Sequence, residues 1–582
     1  MAIWRQQSID EAAARRLSGE AGVSLPVARL LLKRGYGEPE SARRFLNPQP
    51  VHLLDPYLML DMDKAVERMS RAISGREKIF VFGDYDVDGV TSITLLCALL
   101  DQVGADYLIH QPNRLKEGYG LSRAGVDMAL DFGADLLFSL DCGTEAGEAI
   151  EYANSRGLEV IVIDHHKQKG VLPPATAVLN PNRNDCSYPF KGLAAAGVVF
   201  KFLHAGFSRW KARLDWERLY QIAALGTVAD VAPLIDENRV ITKVGLYFLD
   251  RKPDPALGGL LEVAGVDPGQ LNAGHLSFQI APRLNAAGRM GSPEIGRRLL
   301  LSKDPGEIRD LAGHLNELNY QRRSLQAEIY DQSVEMIESD PAKYLRNVIV
   351  VAGEGWNKGI VGIVAAKIQE RYYRPTVVIA LDGETGSGSA RSIPCFDLFS
   401  AISCCSSFLS RFGGHRAAAG LSIDRNRIDD FRDRFDRVAG EMLGEDDLIP
   451  KLAIDAELSV SDVGLALIDE LTSLEPFGMG NRRPVFSSSA VPLSGSPVVM
   501  GKKKNHLKIR VGSGNNISEC VGWDMARRID ELETELIDVA YQLKADEWRN
   551  RRKVQMVLKD FRQSEIGSGE WAVGSSGIRE DS

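Results

Sequence analysis

The chain has 582 residues, 44% of them hydrophobic and 26% charged, with a formal net charge of −9. That length exceeds what one hydrophobic core holds, since domains run to about 100–200 residues, and no apolar run approaches the ~20 residues that cross a bilayer, so a soluble multi-domain protein is expected. The opening stretch MAIWRQQSIDEAAARRL carries no charged leader followed by an apolar run, which predicts retention in the cytoplasm, and seven scattered cysteines without a C-x-x-C pair give no zinc-thiolate pattern.

Up to about residue 60, helical patterning is broken by Pro26, Pro39, Pro48 and Pro50, and an N-terminal cap is expected over 1–60. From Lys78 the texture changes to short apolar runs, KIFVFGDYD, ADLLFSLDCG, LEVIVIDHH and TAVLNPN, separated by helical stretches. Continuous apolar strands alternating with helices predict a parallel sheet buried on both faces, placed here in a domain spanning 61–240. Helical patterning runs from about Arg213 to Glu338, and its 241–340 portion is read as a connector, interrupted by a loop at APRLNAAGRMGSP. A second, smaller α/β domain follows over 341–445. After Pro450, alternating segments such as HLKIRVG and KVQMVLKDF predict an OB-like β-barrel over 446–565, and the Gly- and Ser-rich end, 566–582, reads as a flexible tail. The fold class is therefore α/β: a parallel-sheet domain and a smaller α/β domain flanking a cleft, plus a C-terminal barrel.

The chemistry concentrates at strand ends. Asp84, Asp86 and Asp88 in GDYDVDG follow the first apolar strand, Asp141 follows the second, and Asp164, His165 and His166 follow the third. In an open parallel sheet, ligands bind beyond the carboxyl ends of the strands, so these groups share one functional edge. Asp230 in GTVADVAPL, after an apolar helical run, is a candidate to close the set. A calcium loop opening at Asp84 would need Glu at its twelfth position, where Leu95 stands. The competing bland reading is a cluster of capping and turn aspartates. Carboxylates with one or two imidazoles suit Mn²⁺ or Mg²⁺, and a pair of such ions activates water and stabilises a leaving oxygen at a phosphodiester.

Two basic runs, Gly501–Arg510 and Asp546–Lys553, stand out in this acidic chain. With Trp523 or Trp548 as an aromatic platform they would hold single-stranded nucleic acid; the alternative is a solvated charged face. Gly413, Gly414 and His415 would let backbone N–H groups approach an oxyanion, with a Gly-rich turn as the alternative.

GDYDVDG, SLDCG, IDHH and GTVADVAPL resemble the four motifs of the DHH phosphoesterase family. Further along, APRLNAAGRMG, LNELNYQRR, GWNKGIVGIVA, GSARSI, FGGHRAAAG and LEPFGMGNRRPVF resemble its bacterial single-strand-specific DNA exonucleases, over nearly the whole chain after residue 60. The resemblance implies a DHH catalytic domain, a DHH-associated substrate-binding domain and two metal ions. One ion would be held by Asp86, Asp141 and Asp230 and the other by Asp88, Asp141 and His165, with His166 facing the scissile phosphate. Pyrophosphatase relatives carry a His ligand where Phe82 stands here, and Asp84 is the candidate substitute. Arg114, Arg283, Asn285, Arg289, Ser389 and Arg391 resemble strand-gripping residues, with Arg114, Ser389 and Arg391 the candidates for a 5′-phosphate. The implied activity is 5′-to-3′ hydrolysis of single-stranded DNA to mononucleotides in repair and recombination, by a monomer acting with single-strand-binding protein and a helicase. Two other readings compete: a phosphodiesterase for short oligonucleotides or cyclic dinucleotides, and a non-catalytic binding module.

Overall fold

The computed structural model describes residues 2–564 apart from 114–116, 119, 270, 291–292, 515, 533 and 549–550; the expected Gly/Ser tail lies outside the described residues. The chain forms two compact units. One comprises the described residues of Met1–Asn47, Ile449–Glu475 and Arg482–Ser582; the other comprises Pro48–Leu448 with Pro476–Asn481.

The larger unit begins with a parallel sheet of β1 (Ile79–Gly83), β2 (Tyr107–His110), β3 (Leu136–Leu140), β4 (Glu159–Ile163) and β5 (Ala177–Leu179), ordered β2-β1-β3-β4-β5. Every residue of β1 and β3 is buried, which is why these strands read as unbroken apolar runs. Alternate side chains feed two cores. Val81, Phe138 and Ile161 pack with helices α1 (Val87–Val103), α4 (Ala195–Gly206) and α5 (Trp216–Ala229), whereas Phe80, Phe82, Leu137 and Val160 pack with α2 (Arg123–Phe132) and α3 (Gly147–Ser155). A buried ion pair, Lys201 Nζ to Glu237 Oε1 at 2.8 Å, ties α4 to α6 (Asp236–Arg251).

The stretch APRLNAAGRMGSP is not a loop: Ala281–Met290 is a helix, α7, continuous with a π-helical turn at Leu276–Ile280. Pro282 lacks an N–H and would clash with a carbonyl one α-turn back; the wider turn just ahead of it accommodates that. Helix α8 (Pro305–Ser339) then leads to a mixed five-stranded sheet of β6 (Ile349–Glu354), β7 (Thr376–Asp382), β8 (Thr385–Arg391), β9 (Leu409–His415) and β10 (Ala418–Asp424), ordered β9-β10-β8-β7-β6, with α9 (Val361–Tyr372) on one face.

In the other unit, a seven-stranded sheet runs β11 (Ala456–Glu457), β12 (Phe486–Pro492), β13 (Val498–Met500), β14 (His506–Ser513), β15 (Asn516–Gly522), β16 (Leu536–Trp548) and β17 (Arg551–Gln563), in the order β11-β12-β16-β17-β15-β14-β13. A bridge between Leu493 and Val511 brings the end of β12 back to β14, curling the sheet toward a barrel. The sequence-predicted cap divides: residues up to Asn47 join this unit, where Ile3–Gln6 pairs in parallel with Lys451–Ile454, and the chain from Pro48 onward belongs to the larger unit. Among the described residues no helix is long and apolar enough to cross a membrane.

Candidate metal centre and substrate cleft

Backbone hydrogen bonds carry the three acidic segments just past the ends of their strands. The N–H of Asp84 donates to Leu140 O (3.2 Å), that of Asp141 to Ile163 O (2.9 Å) and that of Asp164 to Leu179 O (3.0 Å). Asp86 caps α1, its carboxylate accepting from the N–H groups of Asp88 (2.9 Å) and Gly89 (3.1 Å). Gly89 is required there, because a Cβ would lie 2.3 Å from Asp84 O. Asp88 is buried against the start of α4, where Ala195 and Ala196 N–H donate to its two oxygens at 2.7 and 2.8 Å. Asp230 arrives from the C-terminal end of α5.

His165 lies at the centre: its Nε2 is 3.3 Å from Asp141 Oδ1 and 3.7 Å from Asp88 Oδ2, and its Nδ1 is 3.7 Å from Asp230 Oδ2. Three groups have ligand atoms within 4.8 Å of one another: Asp84 with Asp86 and Asp141, Asp88 with His165 and Asp230, and Asp141 with His165 and His166. Asp84 sits beside Asp86 and Asp141, the place expected of a substitute ligand, while Asp230 groups with Asp88 and His165 rather than with Asp86 and Asp141. Phe82 is buried in the core on the other face of the sheet, its ring centroid 5.6 Å from that of His110.

Asp164 belongs to none of these groups. One of its oxygens accepts from the N–H groups of His165 (2.7 Å) and His166 (3.1 Å) and meets His166 Nδ1 at 2.7 Å, while the other accepts from Thr144 N–H (3.0 Å). Burial works against its charge, but these donors outweigh it and hold the carboxyl well below the usual range. Burial likewise opposes protonation of His166, yet the Asp164 carboxylate raises its imidazole to about 9.

The other carboxylates are pushed the opposite way. Burial first and the Asp230 charge second raise Asp88 to about 7; burial and the Asp86 charge raise Asp230 to about 7; burial and the charge of Asp88 drive Asp141 well upward. Crowded buried carboxylates that resist ionising together are relieved by a divalent cation, and a donor set of carboxylate oxygens with imidazole fits Mn²⁺ or Mg²⁺.

Residues 78–227 match the DHH family N-terminal domain, 345–441 the DHHA1 domain and 454–560 the RecJ OB domain. The single-stranded-DNA-specific exonuclease RecJ of Bacillus subtilis is 37% identical over 566 residues, covering 97% of this chain and 71% of that protein. The chain belongs to the RecJ family. RecJ of Escherichia coli is 32% identical over 584 residues, covering 96% of this chain and 98% of its own. Two crystal structures of Thermus thermophilus RecJ, in complex with Mn²⁺ and with Mg²⁺, match with TM-scores of 0.83 and 0.77 at 28% and 27% identity. They cover 97% of this chain and 80% and 79% of theirs.

In this RecJ-family chain a cavity of about 850 Å³ opens beside the acidic cluster, lined among others by Gly143, Thr144, His166, Lys167, Lys169 and His415. His166 and His415, from the two α/β domains, thus line one cavity. Gly413 and Gly414 are not in a turn: they pair with Gly420 and Ala419 in the β9–β10 ladder, and a Cβ on Gly414 would lie 2.5 Å from Ala418 O. Ser389 and Arg391 lie on β8 against the first turn of α9, where a Cβ on Gly362 would approach Ser389 Oγ to 3.3 Å and Arg391 Nη2 to 3.2 Å. Arg289 Nη1 donates to Gly359 O at 2.9 Å, joining α7 to the loop before α9, and Asn285 is half-buried on α7. Arg283 is tied into the helical section through Gln279 O (2.6 Å) and Asn316 Oδ1 (3.0 Å). Arg114 and the side chain of Trp548 lie outside the described residues. Trp523 is exposed, its ring 4.8 Å from that of His506.

Sequence reasoning missed the residues that steady the histidine pair. Asn180 Nδ2 donates to Thr144 Oγ1 (2.9 Å) and to His166 O (2.8 Å), and Asn182 Nδ2 donates to His165 O (2.7 Å). The signal for them is the polar N-P-N directly after the strand TAVL.

Proposed function

We propose that the chain hydrolyses single-stranded DNA from a 5′ end, releasing 5′-mononucleotides. The observation that carries this reading is the convergence of carboxylates and His165 from three strand ends and one helix end into groups with ligand atoms within 4.8 Å of one another, beside a cleft shared by His166 and His415. Asp84, Asp86, Asp88, Asp141, His165 and Asp230 hold two divalent cations, Mn²⁺ or Mg²⁺. When bound, these ions supply Lewis-acid activation of water and neutralise charge on the phosphate.

The remaining roles fall to the protein's own groups. Asp164 positions His166, whose protonated imidazole presents a donor to a non-bridging phosphate oxygen. His415 and the backbone at Gly413 and Gly414 meet the next phosphate from the opposite wall. Ser389, Arg391 and the first turn of α9 hold the terminal 5′-phosphate with Arg114, while Arg289 and Asn285 line the strand's path, and Arg283 supports it from the helical section. The exposed lysines at 502–504 and Trp523 of the barrel unit supply a further single-strand contact. In the cell the enzyme acts in the cytoplasm as a monomer, in DNA repair and recombination, on strands exposed by a helicase and coated by single-strand-binding protein.

Digestion of singly end-labelled single- and double-stranded DNA with Mn²⁺ or Mg²⁺ tests the reading. A 5′ label on single strands is released first, as a mononucleotide, and duplex survives. Preference for a dinucleotide over long strands would point to the small-substrate phosphodiesterase. Intact single strands in Mn²⁺, with Asp141→Ala binding them equally well, would point to a binding module.

A further inference from the structure

The motif PFGMGN at Pro476–Asn481 has no part in the cleft described above. The chain on either side of it belongs to the barrel unit, but these six residues belong to the catalytic unit. The turn is closed by Gly478 N–H to Asn481 O (2.9 Å) and Asn481 N–H to Gly478 O (3.2 Å), and the buried Asn481 side chain donates to Pro476 O at 2.8 Å. Its outer edge grips one loop: Leu234 N–H donates to Met479 O at 2.7 Å. The approach is close. A Cβ on Gly478 would lie 2.7 Å from Leu234 Cδ1, and one on Gly480, at φ 72°, would lie 3.1 Å from Pro233 Cβ.

Pro233 and Leu234 sit just beyond Asp230, and of the two residues between Asp230 and Pro233 the first, Val231, is strained. Val231 N–H donates to Val228 O and Ala232 N–H to Thr227 O, both at 3.2 Å, which is the double closure of a Schellman turn. The position that turn normally gives to glycine is held by Val231, at φ 58°. A β-branched residue leaves the left-handed region unless its surroundings prevent it. Asp230, immediately before it, is held on the helix side by its own N–H to Gly226 O (3.0 Å) and is followed directly by that turn.

We propose that the Phe477–Gly480 turn is a positioning element for Asp230. By pinning Leu234 it keeps Val231 left-handed, and the left-handed turn keeps the Asp230 carboxylate within reach of His165 and Asp88. The inference rests on Asp230 being a metal ligand.

The test is Mn²⁺ titration of the full chain, with free ion read by electron paramagnetic resonance and single-stranded DNA binding in EDTA as the control for intact structure. Asp230→Ala and Gly478→Val each weaken Mn²⁺ binding at least tenfold, and Gly478→Val leaves DNA binding in EDTA unchanged. Adding Val231→Gly to Gly478→Val restores Mn²⁺ binding to within about threefold of the parent, because glycine takes a positive φ without strain. Normal Mn²⁺ binding by Gly478→Val, with Asp230→Ala weakened, overturns the positioning role alone. Normal binding by Asp230→Ala overturns the ligand assignment and the positioning role together. Should Gly478→Val not fold, Val231→Pro at an exposed position locks φ near −65°. It weakens Mn²⁺ binding tenfold if the inference holds, and normal binding overturns it.

Discussion

The carboxylate of Asp164 meets His166 twice, accepting its backbone N–H at 3.1 Å and contacting its Nδ1 at 2.7 Å. The first gives the loop its path and the second fixes which way the ring turns. Replacing Asp164 with alanine lowers the rate of cleavage roughly 10–100-fold, the range for losing an orienting partner of an active-site group. The double variant with His166→Ala is little worse than His166→Ala alone, since both remove one function. Single-turnover digestion of labelled single strands measures both.

The crowding of Asp88, Asp141 and Asp230 makes the metal-free protein pay for its own function. Asp141→Ala removes cleavage, by at least about 1000-fold, because the residue belongs to two of the three ligand groups. The same substitution raises the melting temperature of metal-free protein by relieving repulsion between buried charges. Mn²⁺ at a hundred times its dissociation constant stabilises the parent by about 2.7 kcal/mol, and Asp141→Ala loses most of that response. Thermal melts with EDTA and with Mn²⁺ check both directions.

Arg391 and Ser389 flank the start of α9, and Gly362 leaves the space between open. Arg391→Ala raises KM for 5′-phosphorylated strands about 30-fold, the loss of one charge-assisted contact of about 2 kcal/mol. KM for 5′-hydroxyl strands changes little. Paired measurements on the two substrates isolate the effect from general DNA binding.

In the barrel unit, Asp560 accepts from Ala2 N–H (3.0 Å), Trp4 Nε1 (2.9 Å) and Arg528 Nη1 (2.6 Å). Burial alone would raise its pKa; the bonds from Trp4, Arg528 and Ala2 reverse that and hold it below the ordinary 3.8. A depressed carboxyl contributes stability that is present above 3.8 and disappears as pH falls through its lower folded value. Asp560→Asn therefore destabilises this unit by about 2 kcal/mol at neutral pH. The gap from the parent closes on acidification below 3.8, as thermal melts across that range would record.

The strand ends were legible because β1, β3 and β4 are buried on both faces, so the apolar run stops where the sheet stops and the next residue is an aspartate or its neighbour. Asp230 was harder to place, since its position depends on how α5 packs rather than on any local period. Which aspartate faces which was legible only in part, Asp84 beside Asp86 and Asp88 beside His165, because the rest depends on the left-handed turn at Asp141 and the capping role of Asp86. Helix α7 was misread as a loop because Pro282 and Gly288 are breakers in isolation, whereas here a π turn absorbs the proline and a Cβ on Gly288 would lie 3.4 Å from Tyr85 O, an ordinary packing distance. Nothing local joins Ile3–Gln6 to Lys451–Ile454 either, because pairing at such separation leaves no mark in either segment.

That last pairing sets an order of events. Ile3 is paired in register with Lys451, 448 residues later (451 − 3). At about 5–20 residues per second of synthesis, the leading strand waits roughly 20–90 s on the ribosome for its neighbour. The parallel sheet of the catalytic unit, complete at Leu179, is in hand long before then, whereas the last segment of that unit, Pro476–Asn481, emerges only after Lys451, so the acidic strand ends are made first and the turn beside Asp230 comes last.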